Sequence, residues 1–331
     1  MHELQYLMFT VIVLALLFDF INGFHDSANA IATSVSTRAL TPTKAVMMAA
    51  ILEFAGAMVS TGVAKTIGGD IVSSAHIVDE QIIIAALSGA IIWNLLTWWF
   101  AMPSSSSHAL VGGLIGAVLV SVGTAGLHFH GIGKIVIALI VSPIVAWFTG
   151  IIIMNILFRA FYSMNPHVAN SRFRKMQMLT AATMAFSHGS NDAQKSMGII
   201  TLALFSGGFI PEFEVPTFVK VSCAAAMSLG VALGGQRIIK TIGGKIFKLE
   251  PLSGFAADLN SSSVVFSATL LNLPVSTTHV VSGSIMGVGT AKRVNAVHWG
   301  VAQQMVNAWV MTIPCTAVMG ALVFAIVDVI F

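Results

Sequence analysis

The chain has 331 residues, of which 56% are hydrophobic and only 9% are charged, and its mean hydropathy is +0.89. Soluble globular domains carry about 25% charged residues, so this composition excludes an ordinary soluble domain and indicates a protein that crosses the membrane several times. The formal net charge is +3, and the basic residues lie singly or in short clusters between apolar stretches. Because they form no continuous basic face, we expect membrane lipid and no nucleic acid as a partner.

Apolar windows follow one another along the chain, and each predicts a helix in roughly 30 Å of hydrocarbon. They cover residues 4–22, 45–64, 81–102, 108–127, 133–158, 176–206, 216–235, 255–273, 279–291 and 297–328. We therefore predict an all-α, polytopic membrane protein.

Four polar stretches interrupt this pattern, at residues 23–40, 101–116, 187–200 and 272–290. They are rich in Gly, Ser, Thr, Asn and Pro, yet they lie between or inside apolar windows rather than in long polar loops. Irregular polar backbone at membrane depth is tolerated only where protein encloses it or where it lines a cavity. The stretches therefore predict discontinuous or re-entrant helices around an internal site.

The longest polar, basic connection covers residues 159–175 and includes Arg159, Arg172, Arg174 and Lys175. Cytoplasmic loops carry an excess of Lys and Arg, so we expect a cytoplasmic linker in a multi-pass protein of the cell membrane. The linker divides the chain into two halves, 1–158 and 176–331.

The two halves share short motifs in the same order. "KTIGG" occurs at 65–69 and at 240–244, "PSSSSHALVGGLIG" at 103–116 matches "PVSTTHVVSGSIMG" at 274–287, and "GFHDSANA" at 23–30 matches "GSNDAQKS" at 189–196. Ordered matches indicate an internal duplication. If each half crosses the membrane an odd number of times, the halves form two inverted-topology repeats with a binding site at their interface.

These motifs carry a resemblance to a known family. "GFHDSANAIATSVSTRA" and "HGSNDAQKSMGI" resemble the paired signature of the PiT inorganic phosphate transporters, and the two Pro-Ser/Thr-His elements resemble that family's second repeated motif. The resemblance covers residues 20–310 and implies a cation-coupled phosphate symporter, built from inverted repeats, which forms a homodimer. This sequence departs from the pattern at His25, where the family has Asn, and at Lys195, where the first half has Asn29.

Asp26 and Asp192 are matched by the duplication, so we expect both carboxylates at similar depth near the centre. A buried carboxylate needs a cation or a proton, although an Asp at a helix start also serves as a cap. Glu53, in a mid-membrane apolar stretch, either completes a cation site or pairs with Lys65 or a backbone donor. The predicted sodium ligands are Asp26, Asn29, Thr33, Glu53, Asn191 and Asp192.

Each hydroxyl cluster follows a Pro and precedes a His and a Gly-rich apolar helix. The start of such a helix offers free N–H groups and a positive dipole end, which suit a tetrahedral oxyanion. Capping and close helix packing are the alternative roles. The predicted phosphate ligands are Ser105, Ser106, Ser107, Ser276, Thr277, Thr278, Gln194 and Lys195.

Phosphate beside two carboxylates is tolerable only when cations enter with it. Sodium suits the oxygen ligands, and protons would meet the same electrostatic need. The alternatives are proton-coupled phosphate transport, sulfate transport, a channel, and an intramembrane enzyme that uses His25 and Asp26. No nucleophile-plus-base motif supports an enzyme, so we predict a transporter without a cofactor, whose transported ions are sodium and phosphate.

Overall fold

The computed structural model describes residues 2–72, 78–234, 238–239 and 241–330. Their helices are α1 (His2–Ser36), α2 (Pro42–Ala57), α3 (Gly62–Asp70), α4 (Glu80–Trp99), α5 (Ser106–Ser121), α6 (Phe129–Ala160), α7 (Pro166–Asp192), α8 (Gln194–Ser206), α9 (Thr217–Leu233), α10 (Pro251–Leu270), α11 (Thr277–Lys292) and α12 (Trp299–Ile330). Short helical turns lie at Thr124–Gly126, Thr241–Lys245 and Val294–Ala296. Extended pairing within the described ranges is limited to an isolated bridge between Val72 and Leu127. The all-α prediction is confirmed.

Four of these helices are long and apolar enough to cross a membrane. The spans are Gln5–Ser36 of α1, α4, α6 and α12, and α2 with α3 adds a fifth candidate that bends by 69°. The predicted windows 108–127 and 216–235 fall on the shorter apolar helices α5 and α9, and residue 235 lies outside the described residues. The chain is a multi-pass membrane protein.

Two of the predicted interruptions are smaller than expected. α1 continues without a break through His25 and ends only at Ser36. Ser34 shows why polar residues are compatible with this helix, because its hydroxyl donates to the Ile31 carbonyl at 3.0 Å, within the preceding turn. The interruption predicted at 187–200, inside the window 176–206, is limited to a break at Ala193, where α7 ends and α8 begins.

The basic linker is also more helical than expected. α6 extends to Ala160 and α7 begins at Pro166, so only residues 161–165 connect them. Asn165 starts α7, because its side-chain oxygen accepts a hydrogen bond from the backbone N–H of His167 at 2.9 Å and Pro166 occupies the first helical position.

The other two interruptions are present at both predicted places. A residue with left-handed backbone follows the end of α4 and of α10, at Ala101 (φ 52°) and at Asn272 (φ 56°). The next N–H group reaches back to a carbonyl five residues earlier, from Met102 in the first half and from Leu273 in the second. This turn terminates each helix. A short extended segment then leads to the start of α5 or α11.

The duplicated elements have matching lengths and pack crosswise. α4 and α10 each have 20 residues, α5 and α11 each have 16, and α6 and α12 each have 32 with one internal proline. α5 packs on α12 while α11 packs on α6, and α1 packs on α9 while α7 packs on α2. Lys240, the first residue of the second KTIGG copy, lies outside the described residues. The two halves therefore interlock.

Glycines make this crosswise packing possible at matching places. A Cβ on Gly23 would lie 2.2 Å from the carbonyl oxygen of Met227, and a Cβ on Gly189 would lie 2.1 Å from that of Glu53. Only glycine allows backbones to approach this closely. The contact holds the middle of α1 against α9 and the end of α7 against α2, and it fixes the depth of the polar residues beside it.

Candidate functional site

The two duplicated carboxylates meet in the interior. The side chains of Asp26, His188 and Asp192 are buried, and one potential metal-ligating atom from each lies within 4.8 Å of the other two. Asp26 lies in the C-terminal half of α1, while His188 and Asp192 lie one turn apart at the end of α7. The crosswise packing of the halves therefore brings residues 166 positions apart to one centre.

The first turns of α5 and α11 face this centre. The Ser106 hydroxyl donates to Asp26 Oδ2 at 3.3 Å, and the Thr277 hydroxyl donates to Asp192 Oδ1 at 2.8 Å. Thr278 donates to Asp26 Oδ1 at 3.3 Å. Two helix starts and three hydroxyl groups thus surround the carboxylates, and helix starts stabilise negative charge.

The remaining three hydroxyl residues have other contacts. Ser105 and Ser276 cap their helices, since their oxygens accept hydrogen bonds from the backbone N–H groups of His108 and His279. Ser107 donates across the interface to the Val275 carbonyl at 3.0 Å. These groups hold the two helix starts in place instead of facing the carboxylates.

Lys195 supplies a positive charge at the centre. Its Nζ lies 2.6 Å from Asp192 Oδ2 and donates to Ser106 Oγ at 3.3 Å. The side chain is fully buried although it is one of the largest in the interior. Lys195 therefore connects the carboxylate of the second half to a hydroxyl of the first.

Two predicted amide ligands brace neighbouring backbone. Asn191 donates to Thr269 Oγ1 at 3.0 Å and accepts from the Val275 N–H at 3.4 Å. Gln194 accepts from the Ala64 N–H at 3.2 Å and donates to the Ser190 carbonyl at 2.5 Å. Both side chains position the helices that form the centre.

Asn29 and Thr33 differ in where they lie. Asn29 Nδ2 donates to Thr278 Oγ1 at 2.9 Å, which places the amide beside Asp26. Thr33 donates instead to Asp258, whose other oxygen accepts from Gln177 at 3.3 Å. Because α1 is continuous, Thr33 lies about 10 Å along the helix from Asp26. It belongs to a separate polar cluster with Asp258.

Glu53 contacts His188, a histidine that the duplicated motifs do not single out. His188 Nδ1 lies 2.9 Å from Glu53 Oε1, and His188 Nε2 lies 3.5 Å from Asp192 Oδ2. Lys65, the alternative partner of Glu53, is exposed. The signal for His188 was its position four residues before Asp192, because residues spaced by four lie on one face of a helix.

His25 contacts the first carboxylate from its own side. Its Nδ1 lies 2.6 Å from Asp26 Oδ1, and its Nε2 lies 3.4 Å from Thr97 Oγ1. The centre thus holds the carboxylates of Asp26, Asp192 and Glu53 against one lysine, an excess of two negative charges when the histidines are neutral. Buried charge of one sign requires compensation.

Fold and site together define a polytopic membrane protein with an enclosed polar centre between two duplicated halves. A model of the phosphate transporter family, PHO4, matches residues 22–320. The probable low-affinity inorganic phosphate transporter of Bacillus subtilis (strain 168) is 49% identical over 333 residues and is covered completely, as is this chain. A protein of the same description from Rhizobium meliloti (strain 1021) is 45% identical over 326 residues, which cover 98% of this chain and 97% of the relative.

A solved structure is similar as well. The protein described as "The sodium-dependent phosphate transporter" superposes with a TM-score of 0.91 at 27% identity, covering 98% of this chain and 100% of that one. The chain belongs to the phosphate transporter family. It is a transporter and not an enzyme, and none of these descriptions names a cofactor.

Proposed function

We propose that this protein is a sodium-coupled symporter of inorganic phosphate that works by alternating access, with phosphate and cations bound together where α1, α5, α7 and α11 meet. The observation that carries the proposal is the convergence of Asp26 and Asp192 with hydroxyl groups from both halves and with Lys195. A sodium-dependent structural neighbour supports the choice of cation.

Phosphate binds, in this proposal, to Lys195 and to the hydroxyls of Ser106, Thr277 and Thr278. These groups are hydrogen-bond donors in contact with the carboxylates or with each other, and a bound phosphate would take over donors that now contact Asp26 and Asp192. Of the other predicted ligands, Ser105 and Ser276 set the orientation of the helix starts. The carboxylates favour an oxyanion that carries a proton, which phosphate does near neutral pH and sulfate does not.

Sodium binds, in this proposal, to the carboxylate of Asp26 and to the amide of Asn29, while the carboxylate of Asp192 remains paired with Lys195. Within the described part of the chain, Asn29 Oδ1 is buried and accepts no hydrogen bond, although its Nδ2 is bonded to Thr278. An unused carbonyl-type oxygen beside a carboxylate suits a hard cation. Glu53 completes the negative charge of the centre and acts through His188, while Asn191 acts by positioning backbone.

We also propose the arrangement of the chain in the membrane. The two halves, 1–158 and 176–331, are inverted repeats, and the basic residues near 159–175 lie on the cytoplasmic side of the cell membrane. The exposed apolar faces of α6 and α12 would contact lipid and a second copy in a homodimer.

Uptake of labelled phosphate into proteoliposomes tests the proposal when sodium and proton gradients are imposed separately. An inward sodium gradient should drive accumulation at equal pH on both sides, and excess sulfate should leave the rate unchanged. Accumulation driven by a proton gradient without sodium would instead establish proton coupling, and strong competition by sulfate would contradict the assigned selectivity.

A further inference from the structure

A polar stripe on α1 extends beyond the centre. Asp19, Asn22 and Asp26 are spaced by three and four residues, which places them on one face of the helix. All three are buried, and Asp19 lies about 10 Å along the helix from Asp26. The stripe therefore connects the carboxylate of the centre to a second carboxylate that the proposed function does not use.

Asp19 is a buried acid that forms no ion pair with the described residues. Neither of its carboxylate oxygens has a hydrogen bond among the described residues, and its side chain is completely inaccessible. Ser196 of α8 and Cys223 of α9 lie beside it. The ammonium group of Lys195 is bonded to Asp192 and Ser106.

The groups around Asp19 are unpartnered too. In the described part of the chain, both amide atoms of Asn22 and the hydroxyl of Ser196 are buried and without hydrogen bonds. A buried polar group without a partner costs free energy, so three such residues next to each other are difficult to explain as packing. Each of them offers an oxygen that can bind a cation.

The duplication gives no structural reason for an acid at this position. The residue that matches Asp19 in the second half, 166 positions later, is Ala185, which packs in the hydrophobic core. At the matching position in the second half, a methyl side chain is therefore sufficient for helix packing. The acid in the first half has a role beyond the scaffold.

We propose that Asp19, the amide oxygen of Asn22 and the hydroxyl of Ser196 form a second sodium site, separate from the sodium bound at Asp26. One carboxylate with neutral oxygen ligands suits a hard monovalent cation, and the cation supplies the charge that the buried carboxylate lacks. The inference rests on the proposed sodium coupling and adds a further ion to it.

Equilibrium binding of radioactive sodium to the purified full-length protein in detergent tests the inference without requiring transport. The variants are Asp19→Asn, Asp26→Asn and the double variant, with Asp258→Asn as the matched control because Thr33 and Gln177 already satisfy that buried acid. Asp19→Asn should bind one sodium fewer per protein than the wild type, and the double variant should bind two fewer. The control should bind the wild-type number.

A second variant keeps the test decisive if Asp19→Asn does not fold. Ser196→Ala retains the carboxylate, so it should keep the number of bound ions and weaken the affinity of one of them several-fold. If both variants bind the same number of sodium ions as the wild type, with the same affinity, the second sodium site is overturned and the proposed sodium coupling stands. A wild-type protein that binds no sodium would overturn the proposed coupling as well, so the two failures are distinguishable.

Discussion

The carboxylate of the first half, Asp26, has mainly uncharged neighbours. Four residues before it lies Asn22, and three residues after it lies Asn29, whose amide reaches Thr278. The histidine next to Asp26 is neutral unless it gains a proton, and the hydroxyls that contact the carboxylate carry no charge. The negative charge of Asp26 is thus left for a ligand to neutralise.

The carboxylate of the second half has basic neighbours at the same two positions. Four residues before Asp192 lies His188, and three residues after it lies Lys195, which contacts it at 2.6 Å. The protein itself therefore compensates the charge of Asp192.

This difference shows that the duplication determines where the two carboxylates lie. The neighbouring residues that differ between the halves determine which ion each carboxylate favours. Asp26, which contacts His25 and two hydroxyls and has no basic residue at the positions of His188 and Lys195, is suited to a cation. The region of Asp192 with its lysine is suited to the anion. Two identical halves would offer either two cation sites or two anion sites. An asymmetric pair holds both ions next to each other, where each offsets the charge of the other.

Removing either carboxylate should have the largest effect and tests the difference between the two halves most directly. Asp26→Asn and Asp192→Asn should both abolish sodium-driven phosphate uptake, but only Asp192→Asn should also destabilise the fold, by about 3–5 kcal/mol, because it leaves Lys195 buried without its partner. Thermal unfolding in detergent, measured beside uptake, separates the two effects. Equal unfolding temperatures for the two variants would contradict the division of charge.

A double variant provides the control for that effect. Asp192→Asn combined with Lys195→Met removes both charges of the pair, so it should regain much of the stability that Asp192→Asn loses, without regaining uptake. If the double variant is less stable than Asp192→Asn, the ion pair is not the source of the loss.

Making the halves alike is the next largest change. Lys195→Asn gives the second half the residue that the first half has at Asn29, and it should weaken the apparent phosphate affinity roughly tenfold to a hundredfold, since a charged hydrogen bond is lost. A steeper dependence on sodium should accompany it, because a further cation then compensates Asp192. Phosphate and sodium titrations of uptake measure both, with the exposed Lys65→Asn as control.

How much of this asymmetry the sequence predicts depends on duplication. The sequence predicts Asp26 and Asp192 as central because both copies have an aspartate at this position. It predicts the Ser/Thr runs for the same reason. His188 was not, because Asn22 occupies its place in the first half and the pattern therefore shows no match. Repetition reveals the scaffold, whereas residues that differ between copies become visible only when the fold brings their contacts together.

The sequence also does not predict which contact each individual hydroxyl group makes. Four consecutive serines look equivalent in the printed chain, yet Ser105 caps a helix, Ser106 reaches Asp26 and Ser107 reaches a carbonyl. Each successive residue in the first turn of a helix points about 100° away from the last, so one residue shift changes the partner completely. The fold class required only composition and window length, which explains why it was predictable.

Removing single hydroxyls sharpens the division between anion and cation. Ser106→Ala and Thr277→Ala should each weaken the apparent phosphate affinity by about 0.5–1.5 kcal/mol, a few-fold to tenfold, and change the sodium affinity less. Ser107→Ala is the matched control, because its hydroxyl contacts Val275 and not a carboxylate. Equal losses for phosphate and sodium in Ser106→Ala would show that this hydroxyl does not distinguish the ions.

The smallest expected effect concerns the turns that precede the two hydroxyl runs. Ala101 and Asn272 occupy matching left-handed positions, but a left-handed backbone strains alanine more than asparagine, whose side chain tolerates it. Ala101→Gly should therefore raise the free energy of unfolding by up to about 1 kcal/mol, and Asn272→Gly should change it by less. Thermal unfolding of the two variants side by side measures the difference. A larger gain in the free energy of unfolding for Asn272→Gly than for Ala101→Gly would contradict this prediction. Backbone strain at the left-handed residue would then not be what distinguishes the two turns.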